Sequence, residues 1–260
     1  MSSSSPIGAI DQALGWSRGA AAPVDQSTAR WLAAAQTAGG ANLHPPPVGT
    51  VYGTLLNHRQ ALAALGDAVN QPPYKAAPKA PVLYIKPRNT HVGHGAAIVV
   101  PQGVDELEIG ATLGMVIGRT ACRVGEADAL TFVAGYTVCN DVSVPHASYY
   151  RPSMRFKCRD SFLPIGPWIV GAQHVPEPDA LAIQVEIDGH TVQRSSTGGM
   201  QRSVARLIAD VSEFMTLSTG DMLMLGVPFG APRARVGQRV RISIEGIGTL
   251  ENSLVAEGTR

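Results

Sequence analysis

The chain has 260 residues, enough to bury one large core with or without an appendage. Its 21 Lys and Arg against 20 Asp and Glu leave a net charge of +1, and only 16% of residues are charged. With no basic or acidic run, this balance argues against a nucleic-acid surface.

The opening MSSSSPIGAIDQALGW has neither a basic leader nor an apolar core, and no stretch approaches the ~20 apolar residues of a membrane span. The expectation is a soluble, cytoplasmic protein. Residues 1–48, rich in Ala, Ser and Gly and closed by Pro45-Pro46-Pro47, read as a loosely attached arm with one possible helix over Gln26–Ala38. The compact domain, residues 49–260, begins with the apolar strand of GTVYGTLLN. A Pro-rich connector follows, then a strand over Val82–Lys86. In NTHVGHG, His91 and His94 are spaced H-x-x-H, but Gly93 and Gly95 argue for a turn over a metal-holding helix.

Between Asp105 and Asp160 the pattern is a strand, a short helix at EADALTF, a second strand ending at Asp141, and a loop carrying Lys157. Cys122, Cys139 and Cys158 form no C-x-x-C pair and read as reduced, buried thiols. Ala182–Ile187 and His190–Arg194 flank Asp188-Gly189, a hairpin signal suited to a type I′ turn. Val204, Leu207, Ile208, Val211 and Met215 recur at helical spacing, predicting an amphipathic helix over Ser203–Leu217. Strands follow at Met222–Val227 and Arg239–Glu245. The 28 Gly and 19 Pro fit many strands and turns, so the class is α+β with a strand-dominated core. There is no P-loop, nucleophile elbow or Rossmann fingerprint.

Several segments together, LYIKPRNT, GMVIGRTACRV, EADALTFVAGYTVCNDVS, FKCRDSFLPIGPW and LSTGDMLMLGVPFG, resemble the fumarylacetoacetate hydrolase superfamily from Gly49 to about Glu257. YRPSMRFKCRDSFLPIG and TLLNHRQALAA are similar to its 4-hydroxyphenylacetate (homoprotocatechuate) branch, the amino-terminal halves of decarboxylase/isomerases. The resemblance implies a rolled, mixed β-sandwich. It also implies a small 2-oxo di- or tricarboxylate substrate. The reaction would be decarboxylation of 5-oxopent-3-ene-1,2,5-tricarboxylate, isomerisation of 2-hydroxyhepta-2,4-diene-1,7-dioate, or both. A catalytically degenerate half packed on a complete sibling is the alternative, as is an acylpyruvate or fumarylpyruvate hydrolase. Homo-oligomers or pairing with a related subunit are the expected assemblies.

Members of the superfamily hold Mg²⁺ or Mn²⁺ with a Glu-x-Glu pair and a later Asp, because a hard cation takes several oxygen ligands. Counting back from Ile117-Gly118 places the two seats at Gly110 and Thr112. Asp141 comes 29 residues after Thr112, the family interval, and 33 after Glu108. Only Asp141 is then retained. Glu106 and Glu108 of DELEIG are the alternative ligands if a bulge shifts the strand, since Glu108 otherwise sits ~6–7 Å from the first seat. The His-x-x-Glu dyad of hydrolytic members is replaced by Ala61 and Ala64, and an Arg after the metal-site Asp by Pro145. His58 beside the dyad position reads as structural. The resemblance leaves Lys86, Asp141 and Lys157 as expected catalytic residues. Thr197 and the basic cluster of Arg151, Arg155 and Arg159 are expected to bind substrate carboxylates.

Overall fold

The computed structural model describes residues 48–147 and 154–258. Residues 1–47, where the arm and a helix over Gln26–Ala38 were expected, and Arg151 lie outside the described residues. In chain order the first elements are β1 (Val51–Leu55), α1 (Arg59–Ala63), β2 (Val82–Lys86), β3 (His91–Val92) and β4 (Ala97–Val100). Next come β5 (Leu107–Glu108), β6 (Ala111–Ile117), β7 (Val133–Asn140), α2 (Met154–Lys157) and β8 (Leu163–Gly171). The last are β9 (Ala182–Ile187), β10 (His190–Ser196), α3 (Val204–Phe214), β11 (Met222–Met224), β12 (Arg233–Ala234), β13 (Arg239–Ile244) and β14 (Gly248–Ala256).

The strands form two main sheets. One has seven strands in the order β2-β1-β11-β6-β7-β8-β3, the other five in the order β10-β9-β13-β14-β4; β5 and β12 pair separately. Both main sheets mix parallel and antiparallel pairs, as β1–β11 and β4–β14 run parallel. One core cluster draws Leu113, Met115, Tyr136 and Val138 from the first sheet and Val185, Ile242 and Leu254 from the second. Val116, Met222, Met224 and Ile165 form another cluster with Val51 and Tyr84. β6 and β7 are buried throughout, which is why they read as continuous apolar runs without alternation.

The hairpin forms as its turn residues dictate. Asp188 and Gly189 have φ of 50° and 79°, the pair of positive angles a type I′ turn needs. The EADALTF helix is of the 3₁₀ type, Glu126–Phe132. Helix α3 starts where expected, with the Ser203 side chain accepting from Arg206 N, but ends at Phe214. Met215 is extended, and Leu217 leaves the helix to bridge Ala121. β11 is likewise shorter than expected, stopping before Gly226, whose φ of 124° breaks the strand. Two of the three thiols are not buried: Cys122 is exposed and Cys158 half-buried, while Cys139 is enclosed. His91 and His94 form no metal pair; His91 Nε2 meets Lys86 O at 3.0 Å and His94 Nδ1 accepts from Glu251 N. Among the described residues no helix is long and apolar enough to cross a membrane.

Candidate active site

The carboxyl end of β7, the start of β6 and the end of β2 meet at one buried carboxylate. Asp141 is 2% exposed, and its N–H donates to Gly110 O while Gly110 N–H donates to Asn140 Oδ1. β1 pairs with β2 so that Gly53 faces Tyr84 and Val51 faces Lys86. A Cβ at Gly53 would run into the Tyr84 ring, so the glycine lets that ring lie flat across β1. Tyr84 Oη then donates to Asp141 Oδ2. Sequence reading missed Tyr84; the available signal was a glycine inside a strand, which marks a close approach.

Two ammonium groups complete the cluster, and they differ. Lys86 Nζ lies 2.8 Å from Asp141 Oδ1 and donates to three backbone carbonyls, Val142 O at 2.8 Å, Lys157 O at 2.7 Å and Phe162 O at 2.8 Å. Those carbonyls account for its three protons. Asp141 Oδ1 accordingly accepts no directed hydrogen bond and is held by charge alone. Lys157 Nζ, at 3.0 Å from Asp141 Oδ2 and 4.8 Å from the Tyr84 ring centroid, makes one hydrogen bond among the described residues. Two of its protons are left for something else. Lys157 is the last residue of helix α2, where a loop was expected, and the helix turns its side chain inward while Arg155 stays exposed.

Burial by itself would raise the Asp141 carboxyl, but Lys157 and Lys86 hold it far below the usual carboxylate range. Burial pulls Lys86 down to about 8 against the opposing pull of Asp141. Burial, then the neighbouring Asp141 charge, pushes Tyr84 well above the ordinary phenol value, so it remains a donor. Two positive charges against one negative leave the floor of the site with an excess of +1.

This floor opens into a cavity of about 300 Å³, within the range of small-ligand sites. Asp141, Lys157, Gly110, Glu108, Ser143 and His146 line it, and Arg233 and Phe229 also border it. Leu56, also in the wall, has φ of 58°, a left-handed conformation uncommon for a large side chain. Asn57 fixes it there: Nδ2 donates to Leu225 O and Arg202 O, and Oδ1 accepts from Arg202 N–H. Ala61 borders the cavity as the seat of the missing dyad. His58 is buried and bridges to Met200, a structural position.

Other expected site residues fall elsewhere. Thr197 is buried, accepts from Leu181 N–H at Oγ1 and donates its own N–H to Leu181 O; it does not line the cavity. Arg159 Nε donates to Arg155 O, and neither arginine lines the cavity. Glu106 is turned away and bound by Arg235 at 2.6 Å. Glu108 does face the cavity, half-buried, with Arg233 at 3.9 Å. Burial raises its carboxyl against the pull of His146 and Lys157. Sequence reading gave Glu108 as a metal ligand if a bulge shifts the strand and otherwise as a solvated charge, and did not include His146 or Arg233, because the wall they form is assembled from three separate segments.

The donor set matches a divalent cation poorly. A Cβ at Gly110 would run into the Asp141 carbonyl oxygen and stand 2.9 Å from Val227 Cγ2, so no side chain fits the first seat. Thr112 Oγ1 donates to Gly226 O and accepts from Gly226 N–H, closing the second. Of the carboxylates that face the cavity, Asp141 already meets two ammonium groups, which a 2+ ion would have to displace, and Glu108 stands beside Arg233.

Residues 50–255 match the fumarylacetoacetate (FAA) hydrolase C-terminal family. The chain is 44% identical over 209 residues to the 4-hydroxyphenylacetate degradation bifunctional isomerase/decarboxylase of Escherichia coli, covering 80% of this chain and 48% of the relative. It thus spans about half the length of that relative. The 2-hydroxyhepta-2,4-diene-1,7-dioate isomerase from Mycobacterium marinum superposes with a TM-score of 0.66 at 30% identity, over 84% of this chain and 78% of that one. Maleylpyruvate hydrolase from Sphingobium sp. SYK-6, in complex with manganese (II) ion and pyruvate, superposes with a TM-score of 0.66 at 25% identity, over 81% and 72% of the two chains. Sequence and architecture agree: this chain belongs to the fumarylacetoacetate hydrolase family.

Proposed function

We propose that this chain processes a small 2-oxo di- or tricarboxylate through a dienolate held by Lys157, without a metal ion. The reactions are decarboxylation of 5-oxopent-3-ene-1,2,5-tricarboxylate and isomerisation of 2-hydroxyhepta-2,4-diene-1,7-dioate. The observation that carries this reading is Lys157, an ammonium that makes one hydrogen bond among the described residues, on the floor of a 300 Å³ cavity. In both reactions an electron pair moves through a conjugated system onto the 2-oxo oxygen, and a fixed cation there lowers the barrier. Asp141 positions Lys157, while Lys86, with its protons occupied, positions Asp141. Arg233 at the cavity border suits a remote carboxylate. The similarity to an isomerase/decarboxylase and to a dienedioate isomerase supports the substrate class.

A second reading has a specific observation in its favour. The curated relative is about twice as long as the matched segment, and Ala61 lacks the dyad's imidazole, so the chain would serve as a partner half for a catalytic sibling. Assaying the purified chain alone in EDTA, with added Mn²⁺, and with a metal-binding sibling separates the two. Turnover by the chain alone in EDTA supports the metal-free enzyme. Turnover only with the sibling supports the partner role, and turnover only with Mn²⁺ contradicts the metal-free mechanism.

A further inference from the structure

The cavity wall beyond the Asp141 floor holds an imidazole whose protonation pattern its surroundings decide. His146 Nδ1 lies 2.9 Å from Val144 O and 3.3 Å from Ser143 Oγ. A carbonyl only accepts, so Nδ1 carries the proton and the neutral ring presents a lone pair at Nε2. The ring rests against Phe156 with centroids 5.2 Å apart, which restrains its plane. Glu108 forms a backbone bridge with Ser143, bringing β5 against the segment that carries the imidazole. Among the described residues, the charged groups sharing the cavity with His146 are Glu108, Arg233, Lys157 and Asp141.

We propose that His146 is the residue that moves the carbon-bound proton in this cavity, taking the place that Ala61 leaves empty, while Lys157 serves the oxygen end. The assignment rests on the dienolate reading above. In isomerisation, the 2-hydroxyl proton passes to Nε2 as that oxygen becomes an oxo group against Lys157. The released electron pair moves through the diene to C5, and Nε2 returns the proton there. No proton is gained or lost overall and no oxidant is needed. Decarboxylation differs: the bond from C2 to its carboxylate breaks, CO₂ leaves, and the pair settles on the oxygen beside Lys157, which takes a proton from water. No carbon is protonated, so His146 has no step in it.

His146→Asn tests this, because its amide keeps a donor for Val144 O while deleting Nε2. The expected result is an isomerisation kcat lowered on the order of 100-fold or more, the usual range for a lost general acid–base group. Decarboxylation should fall by less than about tenfold. Lys157→Met lowers both reactions together. His146→Gln, which also lacks an imidazole, repeats the measurement if the first variant does not fold. Equal losses in both reactions, or undiminished isomerisation, overturn the assignment while leaving the dienolate reading intact. A wild-type chain that performs neither reaction overturns both.

Discussion

Lys86 and Lys157 both touch Asp141, yet replacing each by Met should have opposite consequences. Lys157→Met removes one charge-assisted hydrogen bond at 3.0 Å from a carboxylate that keeps Lys86 at 2.8 Å and Tyr84. A hydrogen bond to a charged group contributes about 1.5–3 kcal/mol, which at about 2–4 °C per kcal/mol lowers Tm by roughly 3–12 °C. Catalysis suffers far more. Loss of one preorganised donor to a developing oxyanion costs about 10²–10³ in kcat. Lys86→Met leaves Asp141 Oδ1 without its counter-ion and strips Val142 O and Lys157 O of their donor, while Phe162 O keeps Val142 N–H. Breaking a buried ion pair costs about 3–5 kcal/mol. Each unsatisfied carbonyl adds about 1–3 kcal/mol, so the sum reaches the whole stability of about 5–15 kcal/mol for a domain. Circular-dichroism melts, together with the ultraviolet absorbance of the dienol, should show Lys157→Met folded and nearly inactive, and Lys86→Met unfolded or aggregated. A folded, inactive Lys86→Met beside an active Lys157→Met would refute this division of roles.

Three further outcomes follow from the same geometry. Gly53→Ala forces the Tyr84 ring aside and should destabilise the chain more than Tyr84→Phe, which loses only the bond to Asp141, about 1.5–3 kcal/mol; chemical denaturation orders the two. Putting carboxylates back with Gly110→Glu and Thr112→Glu should yield misfolded protein, with no Mn²⁺ bound by calorimetry, since the first seat has no room and the second loses its bonds to Gly226. A stable variant that binds Mn²⁺ would show the seats are open. Glu108 gives a pH effect: burial lifts its folded-state value above the unfolded one, so the folded chain holds the proton longer through that window. Stability from this group is therefore greatest below the unfolded carboxylate value and declines as pH rises through the raised one. Urea melts near pH 4 and pH 7 should show Glu108→Gln gaining on wild type at the higher pH, and a gain only at low pH contradicts the sign.

Strands such as β1, β2 and β13, the type I′ hairpin and the start of α3 were legible in the sequence because each is written locally, in apolar runs or alternation, in Asp188-Gly189, in a Ser cap. Helix α3 ran shorter than its apolar period because Leu217 is claimed by Ala121, a partner nearly a hundred residues away. The roles of the two lysines were beyond any local pattern. Both precede or follow apolar segments and carry the same charge, and only the fold brings three backbone carbonyls to Lys86 and leaves Lys157 one hydrogen bond among the described residues. Thr197 matched a motif yet was drawn into a backbone bond with Leu181, while His146 matched none and came to share one cavity with Glu108. Sequence specifies which groups are present and which faces they occupy. Which hydrogen bonds remain unmade, and hence which groups can act, is set by contacts between distant segments.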